Sequence, residues 1–228
     1  MPTVTLIHAT QVAMPPVIEA FRALPGVRLL NQLDEALLVE ITRRGGLTDE
    51  CVTRMTTQLS LAAEAGSDVI LTTCNAYSAV IMRTIRPRLR QSAPVLVVDE
   101  PMIRKAVRAD RIAVLATVAA GLESQRELLE LVAGEQGRSP ETSFVLRSDA
   151  FDRLVAGSAT EHDAILLAEI DQLVGRADVV VLAQASMARV LPGVPARYRD
   201  RVLSSPGLAV HEVAGLLGAE PSAAGTAA

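Results

Sequence analysis

Residues 68–80 read DVILTTCNAYSAV, and residues 178–190 return as DVVVLAQASMARV. Aligned on Asp68 and Asp178, both copies run from an acidic residue through an apolar stretch to a small-polar turn and a helix-like start. Cys74 in the first turn falls opposite Gln184 in the second. A duplicated strand–turn–helix sets two strand ends where they can face each other across a cleft. One end carries a nucleophile or base, the other an amide.

Working outward, short apolar runs alternate with longer amphipathic segments. Strands are expected at 4–8, 27–30, 69–73 and 95–98, then at 112–116, 144–146 and 179–183. Helices are expected at 15–24, 34–43, 49–65, 78–86, 119–133 and 161–174. Strand–helix alternation with continuous apolar strands implies an α/β fold of parallel sheets flanked by helices. LIHAT at 6–10 resembles VLAT at 114–117, which sets Thr10 against Thr117. The expected organisation is two pseudo-symmetric halves with an active-site cleft between them. The first is 1–98 plus a returning 203–218, the second 99–202, and 219–228 is an Ala/Gly/Ser/Pro-rich disordered tail.

Composition narrows the class. The 228 residues are 50% hydrophobic but only 2% aromatic, with no Trp, so the core must be aliphatic. That suits parallel strands buried on both faces. A formal net charge of −4 implies no basic face, which argues against nucleic acid and membrane surfaces as partners. Two cysteines are too few for a disulfide framework, and no metal-ligand spacing exists. No apolar run reaches the ~18 residues of a membrane span and no signal peptide is evident, so a cytoplasmic protein with reduced thiols is expected. A homo-oligomer is left open.

In open α/β sheets ligands bind beyond the carboxyl ends of the strands. Small polar residues mark four such ends: His8 to Thr10, Thr72 to Asn75, Thr117, and Gln184 to Ser186. Helix N-termini there suit a carboxylate, through backbone N–H groups near Asn75–Ala76 and Ser186–Met187. Neither a GxGxxG nor a GxxxxGK[ST] loop is present, which disfavours nucleotide cofactors. Cys74 is the sharpest candidate. A thiol at a helix N-terminus can have a lowered pKa, whereas a free Cys is most often an inert buried hydrophobe. Cys51 falls on the apolar stripe of the 49–65 helix with Met55, Leu59 and Ala62, and reads as core. Asn75, Thr117 and Ser186 suit helix capping as well as substrate binding. Gln184 ends an apolar strand, where a buried amide needs partners. His8 interrupts a strand end, while His162 and His211 are expected to face solvent.

With CNAYSA at 74–79, AT at 116–117 and SSP at 204–206, the chain resembles the aspartate/glutamate (and hydantoin) racemase superfamily, whose racemases have CNTASA in the first position. The resemblance implies cofactor-independent catalysis, without pyridoxal phosphate or metal, by two cysteines that face each other. One thiolate removes the α-proton and the other thiol returns a proton to the opposite face. Cys74, Asn75, Ser78 and Ala79 match the motif, whereas Ala76 and Tyr77 depart from it. The second-half GCT motif is matched by AQAS at 183–186, so Gln184 replaces the second thiol. Glutamine is no general acid or base. The resemblance thus implies a racemase- or epimerase-like isomerase acting on a small carboxylic acid through Cys74, with His8, Thr10, Asn75, Ala76, Thr117, Gln184 and Ser186 around the substrate. Alternatives are a single-cysteine isomerase or decarboxylase, like maleate isomerase or arylmalonate decarboxylase, and a non-catalytic small-acid binding protein.

Overall fold

The computed structural model describes residues 1–90 and 93–222. In chain order the first half runs β1 (Thr3–His8), α1 (Met14–Ala20), β2 (Arg28–Leu33), α2 (Glu35–Arg44), α3 (Asp49–Glu64), β3 (Val69–Thr72), the short α4 (Ser78–Val80) and β4 (Val95–Val97). After α5 (Glu100–Ala106) come β5 (Arg111–Ala116), α6 (Ala119–Glu135), β6 (Glu141–Leu146), α7 (Ser148–Val155), α8 (Ala159–Leu173), β7 (Val179–Leu182), β8 (Val202–Leu203) and α9 (Ser205–Leu217). The strands form two four-stranded parallel sheets of the same order, β2-β1-β3-β4 and β6-β5-β7-β8.

The central strands carry the aliphatic core the composition requires. All four residues of β3 are buried, as are the last five of β5. The edge strands β2 and β6 mix exposed and half-buried residues, as edges with one solvated face do. Thr48 and Asp34 cap α3 and α2 by accepting from the backbone N–H of Cys51 and Leu37. Cys51, Met55, Leu59 and Ala62 line the buried face of α3 as their spacing predicts.

The repeat has a structural cause. Asp68 accepts from the backbone N–H of Thr3 at 2.7 Å, and Asp178 does the same for Arg111 at 3.0 Å. Each aspartate thus fastens the start of one strand to the start of its neighbour. Beyond the strands the symmetry persists: Thr73 N donates to Ile7 O at 2.9 Å, and Ala183 N to Leu115 O at 2.9 Å. The register corrects one pairing from the sequence. Val4 lies opposite Val69, and Ile112 opposite Val179. Counting along, Thr117 corresponds to Ala9 and Thr10 to Val118, because the β1 end is one residue longer than the LIHAT/VLAT match allows. Thr10 and Val118 both occupy N-cap positions, as equivalent residues should.

The chain crosses between sheets twice. The first crossing follows β4 through α5. The second follows β8, which stays with the second sheet by pairing Leu203 with Val181, before α9 crosses back. Ala209, Val210, Val213 and Ala214 of α9 then pack among Val4, Leu6, Val69 and Leu71 of the first half. Full burial of the two valines alone contributes roughly 3–6 kcal/mol. Of the expected tail, Ser222 N donates to Ala23 O at 2.8 Å, and 223–228 lie outside the described residues. His162 is buried rather than solvent-facing. It shares the inner face of α8 with Leu166, Ile170 and Leu173, a helical spacing that places it inside, and its Nδ1 lies 2.7 Å from Asp163 Oδ1.

Candidate active site

Cys74 and Gln184 have nearly the same backbone. Cys74 has φ −105° and ψ 122°, and Gln184 φ −112° and ψ 142°. Each is the extended N-cap of a 3-10 turn, Asn75–Tyr77 in one half and Ala185–Gly193 in the other. Apolar strand, extended cap and tight turn in both copies bring the two strand ends together.

Asn75 joins them. Its Nδ2 donates to Ala183 O at 2.9 Å and to Gly121 O at 3.3 Å, both in the second half. Ser124 Oγ donates to Asn75 O. Gly121 makes this approach feasible: a Cβ there would sit 2.7 Å from Gln184 Nε2 and 2.9 Å from Asn75 Nδ2. Asn75 is therefore a strut between the halves, and its amide hydrogens are engaged before any substrate arrives.

The Gln184 amide has a fixed orientation. Its Oε1 accepts from Thr117 N at 3.1 Å and lies 3.4 Å from Thr117 Oγ1. A backbone N–H can only donate, so oxygen must face it and nitrogen must face away. That nitrogen, Nε2, is buried and has no hydrogen-bond partner among the described residues. A buried donor without an acceptor costs about 1–3 kcal/mol, a cost that a ligand oxygen removes.

Cys74 is half-buried. Burial pushes its thiol up to about 11; the Ala76 N–H opposes this, the charge of Asp99 adds to it, and a hydrogen bond from the Tyr77 hydroxyl opposes it. The lowered pKa anticipated from a helix N-terminus is thereby corrected. The helical segment that opens at Asn75 runs on to Arg88, yet desolvation by burial outweighs the N–H groups at its start.

His8 is enclosed in the first half. Its Nδ1 lies 2.8 Å from Thr73 Oγ1 and its Nε2 3.0 Å from Asn31 Oδ1. Burial lowers its pKa, while the hydrogen bond to Asn31 resists. A neutral ring with both nitrogens engaged is a poor candidate for the second base. Thr10 and Ser186 are half-buried at their strand ends and make no side-chain hydrogen bond among the described residues. Thr117 is held to Gln184 as described.

Further residues complete the site that motif reading passed over. Ser78 Oγ donates to Asp99 Oδ1 at 2.6 Å, and Gln125 Nε2 donates to Asp99 Oδ2. Asp99 is 1% exposed, and burial pushes its carboxyl up to about 6. Gly121, Ser124 and Gln125 sit at i, i+3 and i+4 on α6, one face turned to the Cys74 turn. The available signals were Tyr77 inside the motif and an acid ending the apolar run 95–98. Among the described residues no three His, Cys, Asp or Glu gather as a metal ion would require, and no helix is long and apolar enough to cross a membrane. A cavity of about 570 Å³ opens elsewhere, where Lys105, Leu191, Arg199, Ser204 and His211 are among its walls, with neither Cys74 nor Gln184 lining it.

Two parallel sheets of identical strand order, with the Cys74 and Gln184 strand ends joined through Asn75, define an α/β protein of two pseudo-symmetric halves. The chain belongs to the Asp/Glu/Hydantoin racemase family, whose sequence signature matches residues 40–213. Aspartate racemase from Picrophilus torridus shares the fold at a TM-score of 0.72 and 14% identity, over 100% of this chain and 99% of that one. Allantoin racemase from Klebsiella pneumoniae gives 0.64 and 16%, over 100% and 93%. Unliganded arylmalonate decarboxylase gives 0.62 and 13%, over 96% and 94%. No curated protein sequence matches the chain at a significant level.

Proposed function

We propose that the protein is a cofactor-independent, racemase- or epimerase-like enzyme that acts on a small carboxylic acid through Cys74. The observation that carries this reading is Cys74 itself, at the first-half strand end where Asn75 reaches the second half, in a chain of the racemase family. In the forward step the thiolate takes the α-proton, the C–H electron pair moves into the carboxylate, and the oxygen gaining charge receives a hydrogen bond. Gln184 Nε2 is the unpartnered donor available for that oxygen.

The same donor favours a second reading, one-faced chemistry. A thiol pushed up to about 11 rests protonated at neutral pH and is ready to give a proton. In a decarboxylation the C–C bond breaks, carbon dioxide leaves and the electron pair enters the remaining carboxylate. Cys74 then returns a proton to carbon and is reprotonated from solvent. Arylmalonate decarboxylase is among the fold neighbours, alongside several racemases.

The test is a screen of amino acids, hydantoins and dicarboxylates in deuterated water, followed by proton NMR. Exchange of the α-proton identifies proton transfer, and loss of carbon dioxide identifies decarboxylation. Thermal stabilisation by an acid that is never turned over identifies a binding protein. Activity that persists in Cys74→Ser removes Cys74 from both enzyme readings.

A further inference from the structure

Asp99 is a buried carboxyl that neither reading of the chemistry uses. It closes β4, a strand whose apolar run needs no acid, and caps α5 without a side-chain hydrogen bond to the backbone. Its partners are two neutral side chains from different halves. Ser78, whose hydroxyl is also 3.4 Å from Cys74 O, belongs to the Cys74 turn, and Gln125 belongs to α6. Among the described residues no lysine, arginine or histidine pairs with it. The charged groups on the packed elements are engaged elsewhere or titrate outside the neutral range. Glu100 pairs with Arg86 and Arg104. On α6, Arg126 covers the Phe144 ring and Glu127 pairs with Arg83. On the Cys74 turn, Cys74 and Tyr77 are both pushed up by burial.

Gln125 suits a carboxyl that changes charge. Its Nε2 donates to the carboxylate, while its Oε1 is buried with no partner. If Asp99 gains a proton, the amide can turn and accept the new O–H at that orphaned oxygen. An amide offers both a donor and an acceptor from one position.

We propose that Asp99 is a positioning residue of the candidate site: it ties the Cys74 turn to α6 through Ser78 and Gln125, and its negative charge modulates the reactivity of the Cys74 thiol. With Asp99 ionised, a second negative charge at Cys74 is disfavoured, and the thiol holds its proton. With Asp99 neutral, that repulsion is gone and the thiolate forms more readily. The proposal rests on Cys74 being the reacting thiol, but its test reads the sulfur directly and needs no substrate.

The experiment measures iodoacetamide alkylation of Cys74 in the intact protein from pH 5 to pH 9, with Cys51 mapped in the same digests. In the wild type, log rate against pH should rise with unit slope, bend through a shoulder near the Asp99 titration at about 6, and resume unit slope. Asp99→Asn keeps the size and the bond from Ser78, and its amide donates to Gln125 Oε1. It should give a straight line without the shoulder, with Cys74 alkylated roughly three- to tenfold faster above pH 7. A variant profile that keeps the shoulder or matches the wild-type rate overturns the proposal. Equal acceleration of Cys51 also overturns it, since that reports loosening of the fold. If Asp99→Asn does not fold, Gln125→Met is the second test. Without the amide donor Asp99 holds its proton more tightly, so the shoulder should move to higher pH, and an unmoved shoulder refutes the idea. Turnover assays on Cys74→Ser fail or succeed independently of these rates, so the two proposals are separable.

Discussion

The Cys74 turn and the Gln184 turn are built on one backbone plan and carry opposite chemistry. Both follow a buried strand, both start from an extended cap, and both strands are fastened at their beginnings by an aspartate. The difference lies in what surrounds the cap. Around Cys74 are proton carriers or their partners: Tyr77, Ser78, Asp99 and Gln125. Around Gln184 are neutral groups, above all Thr117, whose backbone N–H holds the amide still. The comparison teaches that the framework is repeated while the titratable groups gather around one of the two caps. The other half offers a fixed dipole.

The sharpest way to break that contrast is to remove the proton carrier. Cys74→Ser should lower turnover on the order of 10³-fold or more while leaving the thermal transition in place, because one atom changes and the fold does not depend on it. Cys51→Ser, on the core face of α3, should do the reverse: lower stability with turnover per folded molecule intact. Comparable losses of turnover in both would erase the distinction.

The next test concerns the fixed dipole. Gln184→Leu should lower kcat/KM by roughly 10²-fold, the scale for removing one donor to developing negative charge. Gln184→Cys restores a thiol in each half and should gain inversion of a small acid such as aspartate or glutamate, followed by chiral chromatography. In the wild type, one enantiomer should exchange its α-proton much faster than it inverts. Equal exchange on both faces would mean that the second half carries a base that the geometry does not reveal.

A third test reads Asp99 through stability. Its carboxyl, ordinarily near 3.8, is pushed up to about 6 in the folded protein, so folding favours the protonated form. That contribution is complete below the unfolded value and is lost as pH rises through about 6. Two units or so correspond to about 3 kcal/mol. Wild-type stability relative to Asp99→Asn should therefore fall by on the order of 3 kcal/mol between pH 4 and pH 7, measured by urea denaturation. A constant difference would show that Asp99 does not titrate in that window.

The smallest expected effect belongs to Asn75. Asn75→Ala removes the two cross-half hydrogen bonds and should cost about 1–2 kcal/mol in stability. If Asn75 also contacts substrate through its free Oδ1, KM rises as well. Unchanged KM with lowered stability would leave it a strut alone.

The fold was legible because its signals are local. The repeat at 68–80 and 178–190 exposes two parallel-sheet halves, and the stripe of α3 places Cys51 in the core. The site was legible only at strand ends, where apolar runs stop at a polar residue. Gly121, Ser124, Gln125 and Asp99 became visible only when the halves met, since their partners are 21 to 49 residues away in the chain for Asp99–Ser78, Asp99–Gln125, Asn75–Gly121 and Ser124–Asn75. The thiol's pKa was misjudged for a related reason: sequence shows a helix start, but desolvation depends on what closes over the sulfur. The Thr10 pairing failed by one residue because string similarity ignores strand register.

The double crossing of the chain has a mechanical consequence. Two bodies joined at a single point can swivel freely, but bodies pinned at two points turn only about the line through both pins. Here one pin follows β4 and the other lies between β8 and α9, and α5 packs directly against α9. Two connections on one edge favour a door-like swing about that α5–α9 edge over a free twist of one half against the other. The bonds broken at the far strand ends, Asn75 to Ala183 and to Gly121, act as its latch.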